Sequence, residues 1–171
     1  MISDLYNNDF SYDPVTAIEE KNAPEDISLL FADIRDIMGI PLVTSIWRGL
    51  AGFNEGLSKT WKLSKPIFQS GQPEFLYKKL FEQLNLPAPP KINISDIKKN
   101  ALTANDLKNI KNIILIYNRS NTMNLFTLSA LVKTNFSYHN NITSLNTTKL
   151  NIKLPQLLEK HEISDEIWKI V

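Results

Sequence analysis

Ile27-Ser28-Leu29-Leu30-Phe31-Ala32-Asp33-Ile34-Arg35-Asp36-Ile37-Met38-Gly39-Ile40-Pro41 is the run whose reading decides the fold. Ile27, Leu30, Phe31, Ile34, Ile37 and Met38 recur at three- and four-residue spacing, opposite Asp33, Arg35 and Asp36, which is the period of a helix with one apolar stripe. Pro24, Glu25 and Asp26 suit its first turn, where acids meet the positive end of the dipole. Gly39 followed by Pro41 ends it. On this reading Asp33 and Asp36 sit one turn apart on the wet face, an improbable acid/base pair.

Beyond the turn, Gly39 to Phe53 packs two hydroxyls, a tryptophan and an arginine between two apolar runs. Thr44 or Ser45 can cap a short helix ending near Gly52. Asn54 can cap the next, whose Leu57, Trp61, Ser64 and Phe68 share one face; Pro66 inside that pattern predicts a kink or an early end. Pro73 opens a fourth helix, with Phe75, Leu76, Leu80 and Leu84 expected inward and Lys78, Lys79 and Glu82 outward. Leu86 to Pro90 is a proline-stiffened connector.

In the second half Ser95 can cap a short helix, and Thr103-Ala104-Asn105-Asp106 reads as a capping box with Asp in place of Glu, ahead of Leu107, Ile110, Ile114 and Tyr117. Asn118 to Thr122 interrupts the apolar pattern, which resumes from Met123 to Lys133. Asn135 to Lys153, rich in Asn, Thr and Ser, reads as exposed loop, and Leu154-Pro155 leads to a last short helix from Ser164. No strand pattern survives inspection: Ile113 to Ile116 is apolar but has helical flanks. The class is all-α.

A chain of 171 residues with 43% hydrophobic and 22% charged side chains is one ordinary globular domain rather than a disordered chain. We read residues 1–24 as a loosely held arm, with Phe10 and Tyr12 as anchors, and 25–171 as a single helical domain whose last helix looks unfinished. A formal charge of +1 gives no footprint for nucleic acid or a membrane surface. The acidic start and the lack of a long apolar run predict a cytoplasmic protein. There are no cysteines and two histidines, His139 and His161, so thiol chemistry is excluded and neither a metal nor a cofactor is expected.

The candidate site residues each have a plainer reading. Trp47 and Trp61 are more often large core residues than pocket wall. Thr44 and Ser45 suit caps, since no neighbouring base would activate either. Arg48 has the geometry to clamp a small carboxylate or to lie in solvent. Asn118, Arg119, Asn121 and Asn124 make the densest polar cluster, in a chain with eighteen asparagines, and its plain reading is a helix break with local caps.

Asp33 to Val43, then Trp47-Arg48-Gly49-Leu50-Ala51, then Leu57 to Trp61 together resemble the opening of the group I 2-haloacid dehalogenases. Tyr117 to Leu125 and the Leu154-Pro155 segment are also similar to that family. The resemblance implies an all-α, AhpD-like helical domain, one repeat of a pseudo-two-repeat architecture with the active site between the repeats. It further implies an aspartate that activates water for direct displacement of the halide, without a cofactor. Thr44, Ser45, Trp47, Arg48, Trp61, Asn118 and Asn121 are then the candidate substrate-binding residues.

Two departures qualify that implication. The position matching the family's catalytic aspartate, after a serine, falls on Ile46, which cannot accept a proton. The chain also stops where a second repeat would begin, so two copies are expected to pair as a homodimer, unless the chain is a truncated member. The expectation is a small-carboxylate binder lacking the base for hydrolytic dehalogenation. The other reading is a non-enzymatic helical module that homodimerises or binds a protein partner.

Overall fold

The computed structural model describes residues 17–87, 103–133 and 147–154. Five α-helices account for most of them: α1 (Glu25–Met38), α2 (Ser45–Leu50), α3 (Gly56–Gln69), α4 (Gln72–Gln83) and α5 (Ala104–Val132), with a 3₁₀ turn at Glu20–Asn22. No strand occurs among the described residues, so the all-α reading holds. The possible helices after Ser95 and Ser164, the anchors Phe10 and Tyr12, and both histidines lie outside them.

α3 is the hub, packing against each of the other four helices, and α4 packs along α5. The core that results is built from Phe31, Ile34 and Met38 of α1, Ile40 and Val43 of the turn, Trp47 of α2, Leu57, Trp61 and Phe68 of α3, and Met123 of α5. Every α1 residue in it belongs to the apolar stripe of the opening run. Trp47 is fully buried and meets Trp61 edge-on, centroids 5.4 Å apart at 81°, with Phe68 6.1 Å away. Such crossed aromatic contacts add to the burial of large rings.

Four expectations are corrected. The polar run from Asn118 to Thr122 does not break the helix: α5 is continuous for 29 residues. Its inward face from Ile116 to Thr127 includes Arg119, Ser120, Asn124 and Thr127, so polar side chains are what it buries. α3 likewise does not end early at Pro66 but continues to Gln69; Ile67 and Phe68 are buried there, and burying two such side chains offsets the few kcal/mol an internal proline costs. Asn54 does not cap α3; Glu55 stands at that position with φ +54°. Finally, α4 buries Pro73 and Glu74, while Phe75, Leu76, Leu80 and Leu84 are exposed. The capping box at the head of α5 is present as read, Asp106 N–H to Thr103 Oγ1 at 3.1 Å and Thr103 N–H to Asp106 Oδ2 at 2.8 Å.

Gly39 is where three segments meet. It ends α1 in the left-handed conformation, φ +62°, and the amides of Gly39 and Ile40 both turn back to the Arg35 carbonyl. Its own carbonyl accepts the Leu150 amide at 2.9 Å, which lays residues 147–154 across the turn as an extended strap. A Cβ at Gly39 would stand 2.5 Å from the Thr148 carbonyl oxygen. Gly39→Ala therefore meets both a disfavoured φ and a collision with backbone. We expect a loss of about 1–3 kcal/mol in urea denaturation; unchanged stability would show that the strap yields freely.

Before α1, the described part of the arm is tied down. Glu20 pairs with Arg35 and accepts the Val43 amide at 2.8 Å, and the Ile18 amide reaches the Arg48 carbonyl at 3.2 Å.

Candidate functional site

Two buried polar centres flank the Gly39 turn. The first belongs to α2 and α5. Thr44 precedes α2 in extended backbone, and its side chain makes no cap bond to the helix. Its hydroxyl instead accepts from Asn124 Nδ2 at 3.0 Å, while Asn124 Oδ1 accepts the Trp47 indole N–H at 3.1 Å. All three residues are at most 5% exposed. The carboxamide thus joins the turn, α2 and α5 through one neutral side chain. One helical turn beyond Asn124, the Thr127 hydroxyl is fully buried and has no hydrogen-bond partner among the described residues.

Next to this centre Trp61 carries the network outward. Its indole N–H donates to Asp33 Oδ2 at 2.7 Å, and Lys65 Nζ meets both oxygens of Asp33, at 3.0 and 2.8 Å. Asp33 is therefore not the free wet-face acid read from spacing. Burial by itself raises its pKa, but Lys65 and Trp61 more than offset this and hold the carboxyl below its ordinary value. An acid in that state is a poor proton acceptor near neutrality.

The second centre is ionic. Arg119, 3% exposed, donates to Glu74 Oε2 at 3.2 Å, to the Gly39 carbonyl at 3.2 Å and to the Thr148 carbonyl at 2.5 Å. Glu74 also accepts the Thr148 amide at 2.7 Å and pairs with Lys78 at 3.0 Å. Arg119 Nε is buried without a partner among the described residues. The pair holds α4, α5, the Gly39 turn and the strap together. Beside it, a shallow groove of about 340 Å³ runs between Arg35, Asp36, Pro41 and Lys149; its charges already pair as Arg35 with Glu20 and Lys149 with Asp36.

Of the seven candidate residues, Thr44 and Trp47 come together at the first centre and Trp61 packs on it. Ser45 is exposed on α2, as is Ile46, and Arg48 is half-buried. Asn118 and Asn121 are exposed on α5 and do not join this centre. Asn124 does, and its helical phase was the available signal: with Ile116, Ser120, Met123 and Thr127 it falls on one face, from which Asn118 and Asn121 are rotated away. Nothing in local sequence spacing marks Glu74 as the partner of Arg119.

Among the described residues no cluster of three or more His, Asp or Glu could hold a metal ion, and no helix is long and apolar enough to cross a membrane. No protein-family model and no curated protein matches this sequence. Among solved structures, the chain is similar to one described as the complex structure of a D-2-haloacid dehalogenase mutant with D-2-CPA. The TM-score is 0.65 at 11% sequence identity, over 94% of this chain. The match spans 60% of that longer chain, and at this identity it establishes a shared helical fold.

Proposed function

We propose that this protein binds a small carboxylate at the Thr44, Trp47 and Asn124 centre and does not dehalogenate it hydrolytically. The observation that carries the reading is the Asn124 carboxamide, buried and fixed from both sides by Trp47 and Thr44. A buried neutral donor set beside an aromatic wall suits a short-chain carboxylate, because the amide and hydroxyl can solvate its oxygens while the rings take its alkyl part. The Thr127 hydroxyl, one turn away and without a partner among the described residues, adds a donor on the same face of α5. The helical likeness to a haloacid dehalogenase is consistent with this class of ligand.

The absence of turnover rests on the groups that would have to act. Ile46 occupies the place that the family resemblance gives to the water-activating aspartate, and it offers no lone pair. Asp33, the carboxylate tied to the aromatic cluster, is held ionised and engaged by Lys65 and Trp61.

Titration with propionate and with 2-chloropropionate, followed by tryptophan fluorescence, is expected to give saturable binding that Asn124→Ala abolishes. Halide release from 2-chloropropionate is expected to stay at the uncatalysed rate. Release at an enzymatic rate would refute the second half of the proposal, and a linear, unsaturable fluorescence response would refute the first.

A further inference from the structure

The outward face of α5 is not accounted for by either polar centre. Ile110, Ile114, Tyr117, Asn121, Leu125, Leu128 and Val132 follow one another at three- and four-residue spacing, and at about 100° per residue all lie within about 40° of Asn121. The buried Ile116, Arg119, Ser120, Met123 and Thr127 lie about 100° or more from it, so the row is a separate stripe, with Asn124 at the border between the two. Leu128 is partly buried against the core, Asn121 is exposed, and Ile110, Ile114, Tyr117, Leu125 and Val132 are 41 to 81% exposed. We propose that this stripe is the interface with a second copy of the chain, the two α5 helices running antiparallel about a twofold axis at Asn121. The inference is independent of the carboxylate reading, since no residue of the stripe belongs to either polar centre.

Two arguments single out a second copy as the occupant. The first is area. Five large side chains exposed to this degree leave on the order of 500 Å² of apolar surface, at the upper end of what a monomer carries without using it. A standard interface buries about 800 Å² per partner, roughly 60% of it apolar, so this one stripe supplies the apolar content of one side.

The second argument is that the stripe is complementary to itself. From Ile110 to Val132 its one amide, Asn121, stands at the midpoint with three apolar residues on either side, and no charged residue lies among them. In an antiparallel pair centred there, Tyr117 comes level with Leu125 of the second copy, Ile114 with Leu128 and Ile110 with Val132, and the symmetry repeats each contact across the axis. A carboxamide closed into an apolar contact needs both an acceptor and a donor, and a second Asn121 on the axis offers both. A lone asparagine in an apolar seam also fixes its register. The antiparallel sense opposes the two helix dipoles and sets Tyr117 against leucine rather than against a second tyrosine. An unrelated apolar helix would have to carry an amide at the same level; a second copy does so by construction.

Sedimentation equilibrium of the full chain from micromolar to several hundred micromolar is expected to show a monomer–dimer equilibrium. Asn121→Lys changes an exposed position, puts two like charges on the axis and should weaken the dimer at least about tenfold. The chain has no cysteine, so single introduced thiols report the register. Oxidation should link Asn121→Cys to itself, and should link Tyr117→Cys to Leu125→Cys when the two variants are mixed. Two copies of Tyr117→Cys sit about 12 Å apart along the helix axes and should not link to each other. A monomer at every concentration would overturn the proposal, whatever else then covers the stripe, and so would an open-ended series of oligomers. Self-linked Tyr117→Cys would mean a parallel pair, and a dimer indifferent to Asn121→Lys would place the interface elsewhere; either result sinks it.

Discussion

Replacing Arg119 by Met is expected to lower the melting midpoint by on the order of 10 °C. The substitution keeps most of the side-chain volume and removes the charge, so the effect isolates the ionic centre. Glu74 would be left buried with only Lys78 and the Thr148 amide, and the Gly39 and Thr148 carbonyls would each lose a donor. Breaking a buried pair from one side costs about 3–5 kcal/mol, and in a chain of this size each kcal/mol moves the midpoint by about 2–4 °C. Adding Glu74→Gln to the Arg119→Met background should recover a good part of the loss, because the orphaned charge goes with it. A midpoint within about 2 °C of the parent for Arg119→Met would show that the pair holds nothing.

Acid should act on the same centre. Burial raises the pKa of Glu74, but the Thr148 amide, Lys78 and Arg119 outweigh it, and the carboxyl lies below its ordinary value of 4.5. A carboxyl depressed in the folded state contributes stability that is fully present above its unfolded pKa and is lost as pH falls through the folded one. The parent protein should therefore lose stability on acidification below about pH 4.5. Glu74→Gln, less stable at neutrality, should show a flatter profile across that window.

What was legible in advance follows from what local spacing records. The α1 stripe, the Gly39 stop and the Thr103 capping box are decided by residues within one or two turns of each other, and all three stand as read. Trp47 as core was also legible, since a large ring flanked by apolar residues has few other places to go. The misreadings of α4 and α5 share one cause: inwardness is equated with apolarity. That rule cut α5 at Asn118, where buried Arg119 and Asn124 find partners 29 to 80 positions away. It also turned Leu80 and Leu84 toward the core, whereas α4 buries Pro73 and Glu74 and packs Tyr77 against the core. Hydrogen bonds such as Asn124 to Trp47 span 77 residues and leave no mark at helical spacing. Only the phase of Asn124, shared with Met123 and Thr127, carried the information locally.

That phase makes Asn124 the position where stability and binding are expected to fail together. Asn124→Leu is nearly isosteric and should cost about 3 kcal/mol, because the Trp47 N–H, fully buried, loses its acceptor and the Thr44 hydroxyl loses its donor. The hydroxyl can rotate toward another backbone group, whereas the indole N–H is fixed by the ring's contacts with Trp61 and Phe68. Most of the loss therefore belongs to Trp47, and the cycle with Trp47→Phe tests this. Trp47→Phe removes the orphaned donor, so the double variant should lie above the sum of the two single losses by about 1–2 kcal/mol. Strict additivity would mean that the carboxamide and the indole do not act as a unit. Carboxylate binding gives the independent readout: Trp47→Phe leaves Asn124 and Thr44 in place and should weaken propionate only a few-fold, while Asn124→Leu should remove it even at temperatures where the variant is fully folded.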